Sequence, residues 1–126
     1  MQPAEVVRAL FDRMQARDWS GAEACMAPDA TIRYIATGEQ FTGVGFMAMN
    51  RAYPEGWNLE VQDLLAVGPR VGVQVRVPNG GQVDWLTAFY TVDGDQIIDG
   101  TEHWLTEHSE PAPEWRRPFT VEPPAH

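Results

Sequence analysis

Lysine is absent from the 126-residue chain, and all nine basic residues are arginines. That absence removes Schiff-base catalysis and the lysine of a phosphate-binding P-loop. Cysteine is scarce as well, because Cys25 stands alone and has no partner for an internal disulfide. Only two serines occur, Ser20 and Ser109, and neither lies in the Gly-x-Ser-x-Gly turn of a serine hydrolase. Eighteen acids outnumber the bases, for a formal net charge of −9. Neither nucleic acid nor an anionic membrane surface is an expected partner, since both are recognised by basic patches. No apolar run approaches the ~18 residues of a membrane span. The segment from Met1 to Leu10 carries Glu5 and Arg8 within its apolar spacing, unlike the core of a secretory signal. A cytoplasmic setting is expected. His103, His108 and His126, with Glu107 nearby, show no regular ligand spacing, so neither a metal site nor a cofactor is expected.

What remains is the composition of one folded domain, 44% hydrophobic and 10% aromatic. From Pro3 to Arg17, Val7, Leu10, Phe11 and Met14 recur at the spacing of an amphipathic helix. Asp18 can cap a second helix through Met26, and Ala30 to Ala36 alternates as a strand. Thr42 is the N-cap candidate of a third helix ending near Tyr53. Four β-rich runs follow, over 57–67, 71–77, 82–92 and 96–106. Gly68-Pro69, Asn79-Gly80-Gly81 and Asp93-Gly94 join them too tightly for anything but antiparallel neighbours. The expected fold is α+β in the order ααβαββββ, a curved antiparallel sheet wrapped around three helices over residues 1–107. Residues 108–126 read as a Pro-rich tail packed on the same domain, extended and pinned by Trp115 and Phe119, or else a lid over a cavity. Gly43-Val44-Gly45-Phe46-Met47-Ala48 fits a dinucleotide-binding fingerprint, but the antiparallel hairpins after it argue for the opening turn of a helix instead.

The element order, with Ala16-Arg17-Asp18-Trp19-Ser20-Gly21-Ala22, Ala27-Pro28-Asp29-Ala30-Thr31, Gly94-Asp95-Gln96-Ile97-Ile98 and Glu102-His103-Trp104, resembles the SnoaL-like branch of the nuclear transport factor 2-like superfamily over roughly residues 4 to 106. The resemblance implies a cone-shaped cavity between sheet and helices. It does not imply one activity, because the superfamily includes ketosteroid isomerases, scytalone dehydratases, limonene epoxide hydrolases, polyketide cyclases and non-catalytic binding proteins. By position, ketosteroid isomerases carry their base where this chain has Tyr34, and their oxyanion-hole groups where it has Leu10 and Thr87. That route is therefore not expected here. The closing-strand Asp of limonene epoxide hydrolases aligns with Glu102, but the Arg of their Asp-Arg-Asp arrangement has no counterpart on the face that reads Val71, Val73, Val75, Val77. A one-residue register slip would bring Arg76 inward instead.

Alternation places Gly100, Glu102 and Trp104 on one face of the last strand, and the alignment directs that face into the cavity. The matching face of the preceding strand is expected to be Val83, Trp85, Thr87 and Phe89, and that of the first strand Ile32 and Tyr34. Glu102 is the candidate catalytic acid or base, because a carboxyl in an aromatic pocket loses solvation and titrates nearer neutral pH. Tyr34, Thr87, Trp85, Phe89, Trp104, Tyr53, Trp57 and Trp19 are the candidate ligand-binding residues, with Tyr34 and Thr87 orienting the substrate. The expected ligand is an apolar small molecule bearing a carbonyl or hydroxyl, handled by isomerisation, dehydration or hydrolysis. The alternative is a non-catalytic binding or interaction module whose cavity its own side chains fill. A homodimer through the outer sheet face is also expected, with Leu86, Ala88, Tyr90 and Val92 as the pairing residues.

Overall fold

The computed structural model describes residues 1–121; His126 and the rest of the expected tail beyond Val121 lie outside the described residues. The elements are α1 (Pro3–Gln15), α2 (Trp19–Glu23), β1 (Met26–Tyr34), β2 (Gln40–Thr42), α3 (Gly43–Ala52), β3 (Glu60–Val67), β4 (Arg70–Asn79), β5 (Gln82–Asp93) and β6 (Gln96–Thr106), followed by a 3-10 turn at Glu114–Phe119. The architecture is α+β, with the helices on one face of an open, curved sheet ordered β2-β1-β6-β5-β4-β3. Two features extend the expected order. β2 is a three-residue strand, too short to leave an alternating pattern, and β1 lies parallel to β6, so the sheet is mixed rather than wholly antiparallel. No helix among the described residues is long and apolar enough to cross a membrane.

α1 starts at Pro3, whose missing N–H is no loss in a first turn, and Glu5 accepts from the Gln2 N–H at 3.0 Å. Its buried stripe of Val6, Val7, Leu10, Phe11 and Met14 faces the sheet, each side chain contributing about 1.5–3 kcal/mol by leaving water. The helix stops two residues short of Arg17, because Arg17 turns the chain with φ 60°. The cost of that conformation is offset by the Arg17 side chain. Its guanidinium donates to the helix-end carbonyls of Met14 and Gln15 at 3.2 and 3.0 Å and to the Trp57 carbonyl at 2.7 Å. It also pairs with Glu55 at 2.8 Å and stacks 3.5 Å from the Trp57 ring centroid. One residue thus ties the end of α1 to the loop that follows α3.

Thr42 caps α3 by accepting from the Gly45 N–H at 3.0 Å. Gly43 is required by close packing, since a Cβ there would lie 1.9 Å from the Ala27 carbonyl oxygen of β1. β2 does lead into these glycines, but as an edge strand paired antiparallel to β1, which is not a dinucleotide-binding unit.

The β5–β6 register corrects one expectation. Next to the turn, Asp93 pairs with Gln96 and Val92 with Ile97, but a bulge follows and Thr91 pairs with Asp99. Without the bulge, Thr87 would lie opposite Glu102; with it, Ala88 does. The inward face of β5 is therefore Asp84, Leu86, Ala88, Tyr90 and Val92, all buried. Trp85, Thr87 and Phe89 face outward, and the residues expected to form a dimer face are core. β4 points Val71, Val73, Val75 and Val77 inward as expected, while Arg76 lies on the outer face and pairs with Glu60 at 2.9 Å.

The tail is not anchored as expected, because Trp115 and Phe119 are 71% and 82% exposed. A tighter constraint holds the core. A Cβ on Gly100 would fall 2.5 Å from the Tyr90 ring and 2.9 Å from Ile32. Gly100→Ala is expected to cost ~1–3 kcal/mol in denaturant unfolding, the usual range for overpacking, with Tyr90 displaced; an unchanged midpoint would show that the ring moves freely.

Candidate small-molecule site

Between α1, α3 and the inner sheet face lies a cavity of about 450 Å³. Its walls are chiefly apolar, built from Phe11 and Met14 of α1, Phe46 and Met49 of α3, Leu59, and Val77 and Leu86 of the sheet. Such a volume suits a small organic ligand. Two groups of polar side chains interrupt the apolar lining.

The deeper group centres on Glu102, which is 1% exposed. The Tyr90 hydroxyl donates to Oε2 at 2.5 Å, and the Trp104 indole N–H donates to Oε1 at 2.9 Å. Tyr34 stands beside Glu102 in the β1–β6 pairing. Burial raises the Glu102 carboxyl above its ordinary range, against the hydrogen bonds from Tyr90, Trp104 and Tyr34, which favour the ionised form. Burial first, and the Glu102 charge second, hold the Tyr34 and Tyr90 phenols well above their usual values, so both remain neutral donors. Gly100 makes this arrangement possible. It sits opposite Tyr90 and beside Ile32, and its missing side chain lets the ring lie flat enough to reach Glu102.

The second group surrounds Asp84, which is 9% exposed. Oδ1 accepts from Gln82 at 2.8 Å and Thr106 at 2.7 Å, and Oδ2 accepts from Asn79 at 3.3 Å. Asn79 also donates to the Tyr53 hydroxyl at 3.3 Å. Asp84 lies four residues along β5 from Ala88, the partner of Glu102, a Cα separation of about 13 Å at the usual strand rise. The two carboxyls are too far apart to share a proton.

Of the residues singled out in the sequence, Glu102, Tyr34, Trp104, Tyr53 and Trp57 line the cavity. Trp19 stands behind the wall, its ring edge-on to Trp57 with centroids 6.2 Å apart. Trp85 donates to Glu107 at 2.6 Å on the outer face, where Phe89 is 46% exposed. Thr87 is exposed opposite His103. Sequence reasoning missed Tyr90 and Asp84, both on the face that the bulge turns inward. The one local signal was Ile97-Ile98, two successive apolar residues that break strand alternation. Among the described residues no group of three or more His, Cys, Asp and Glu side chains is placed to hold a metal ion.

A family profile described as a SnoaL-like domain matches residues 7–100. Among solved structures, a ketosteroid isomerase candidate from Kribbella flavida is similar at 30% identity and TM-score 0.87, covering 98% of this chain and 91% of that one. IdmH from Streptomyces antibioticus, a polyketide cyclase candidate, shares the fold at 17% identity and TM-score 0.70, over 85% of this chain and 93% of its own. An LEH-like epoxide hydrolase of M. tuberculosis does so at 16% identity and TM-score 0.68, over 81% of each chain. No curated protein matches the chain at a significant level.

The raised Glu102 carboxyl has a consequence for stability. Between its unfolded and folded pKa values the native state holds a proton that the unfolded chain has lost, so its contribution to stability falls as pH rises through that window. Glu102→Gln removes the cost of a buried charge. The melting temperature of the variant relative to the parent is therefore expected to rise from pH 4 to pH 8, and a pH-independent difference would show that the carboxyl is not raised.

Proposed function

The chain belongs to the SnoaL-like domain family, and from that membership and its buried carboxyl we propose that it binds an apolar small molecule in the cavity and converts it by acid–base chemistry at Glu102, without a cofactor. The observation that carries this reading is a fully buried carboxyl facing a cavity large enough for a ligand. Isomerisation, dehydration and hydrolysis each need a group that takes or gives a proton, and a carboxyl raised by burial keeps its proton to higher pH and is a better base than an exposed one once the proton is lost. Tyr90 and Trp104 aim the carboxyl. Tyr34 is neutral and stands beside Glu102, and in this reading its single O–H turns from the carboxyl to a substrate carbonyl or hydroxyl. Thr87 has no part in the reading, since it faces away.

The ketosteroid isomerase route finds no support, because Tyr34 stands at the position of the base, Leu10 is core, and neither Thr87 nor its inward neighbour Ala88 is an acid. An epoxide hydrolase arrangement lacks its arginine, since no basic side chain among the described residues lines the cavity. A second reading is binding without turnover. It is favoured by the two hydrogen bonds that already satisfy both Glu102 oxygens, while the open volume disfavours a self-filled version.

We also propose a homodimer through the outer sheet face, where Phe89, Leu65 and Val67 are exposed. Light scattering at micromolar concentration is expected to return twice the chain mass, and a monomer would overturn the pairing.

A thermal-shift screen of apolar ketones, alcohols and epoxides is expected to supply ligands. For any that the protein converts, Glu102→Gln is expected to abolish turnover while keeping the Kd within about tenfold. Unchanged turnover would remove Glu102 from the chemistry. Ligands bound but never converted would leave binding alone.

A further inference from the structure

The outer sheet face carries a hollow that the chain leaves empty. Asp63, Leu65 and Val67 of β3, Arg70 and Gly72 of β4 and Phe89 of β5 line a groove of about 400 Å³. Gly72 forms its floor, paired with Leu65 on one side and Phe89 on the other. A Cβ at Gly72 would lie 3.2 Å from the Phe89 ring, so the missing side chain keeps the hollow open. Leu65 and Val67 are 70% and 83% exposed, far more than buried packing would leave them. A second flat sheet face laid over such a hollow bridges it and leaves a void, whereas a projecting ring fills it.

The C-terminal segment carries such rings. Trp115 and Phe119 project from the 3-10 turn at Glu114–Phe119, and every residue from Glu107 to Val121 is exposed. The turn closes on itself, with the Arg116 N–H donating to Pro113 at 3.1 Å and the Thr120 N–H to Arg117 at 3.3 Å. Its root is fixed to the same outer face as the groove, because the Trp85 indole donates to Glu107 at 2.6 Å and the Glu107 N–H to the Val83 carbonyl at 2.9 Å. His108 then turns the chain with φ 57°. Residues 107–113 span up to about 23 Å when extended, against about 13 Å along β5 from Trp85 to Phe89. The segment is therefore long enough to reach a groove, yet it leaves its own uncovered. The Kribbella flavida structure covers 98% of this chain, the segment included. Charge matches across the two surfaces as well. Asp63 and Arg70 border the groove, while Glu114 and the one adjacent basic pair of the chain, Arg116-Arg117, flank the rings.

We propose that two copies of this chain exchange their C-terminal segments, the Trp115 and Phe119 rings of each filling the groove over Gly72 on the other. The inference rests on the pairing of copies through the outer sheet face and adds the segment that fills it. Two-fold symmetry makes the contact twice. At about 150–250 Å² for each aromatic side chain, the four rings bury about 600–1,000 Å², near half of the roughly 1,200–2,000 Å² of a stable interface. The segment is then an arm that decides whether the pair holds.

Sedimentation equilibrium of the full chain tests this with two double variants. One loses the rings, Trp115→Ala with Phe119→Ala; the other spoils the groove, Leu65→Asp with Val67→Asp. All four positions are exposed in the single chain, so each variant keeps its fold. Each is expected to weaken the dimer at least about tenfold, as loss of buried aromatic anchors does. Mixed in equal amounts, the two variants are expected to associate more tightly than either does alone, because the intact segment of one copy meets the intact groove of the other. No gain on mixing would place the segment on its own sheet and overturn the exchange. A ring variant that dimerises like the parent would also overturn it while leaving the pairing of outer faces intact. A monomeric parent would overturn both.

Discussion

The pairing of Ala88 with Glu102 is the constraint on which the rest of the site depends. Directly opposed residues in a sheet share a face, so this one register commits Asp84, Leu86, Tyr90 and Val92 to the same side as Glu102. It brings the Tyr90 hydroxyl to the carboxyl and puts Asp84 opposite Thr106. It also sends three aromatic or polar side chains, Trp85, Thr87 and Phe89, to the other surface. The bulge near Ile98 sets that register, and moving it by one residue would dismantle both polar groups at once.

Around this pairing, small side chains make room for large ones. Gly100 has no Cβ, so Tyr90 can cross it to reach Glu102. Gly43 lets α3 come down onto the Ala27 carbonyl, which closes the helical side of the cavity. On the far side Arg17 keeps a left-handed backbone and spends its side chain on two helix-end carbonyls, Glu55 and Trp57. The loop carrying Trp57 is thereby held to α1, and a wall of the cavity is fixed by a residue outside it. The glycines and the arginine act through geometry, making room for the side chains that line the cavity and fixing its wall.

Those carboxyls lie in different environments. Glu102 is buried, which raises its carboxyl above the ordinary range, against the opposing hydrogen bonds from a phenol and an indole. Asp84 sits among side-chain amides and a hydroxyl, with part of its hydrogen-bonding capacity unused. A single cavity thus carries two carboxyls in unlike surroundings, within a chiefly apolar lining.

The inward position of Glu102 came from the family resemblance, while the sequence by itself determined the elements other than β2 and their order, the capping of α3 by Thr42 and the inward valines of β4. Each of these follows from a local period or a short turn, and local periods survive into the fold. Only the tertiary structure decided which face of β5 joins Glu102. Both faces of β5 carry apolar residues, so composition does not choose between them, and a single extra residue near Ile98 reverses the parity counted from the Asp93-Gly94 turn. The parallel pairing of β1 with β6 was likewise out of reach, since no short link joins those strands. The inward places of Tyr90 and Asp84 depend on contacts between residues distant in the chain, which a local pattern does not encode.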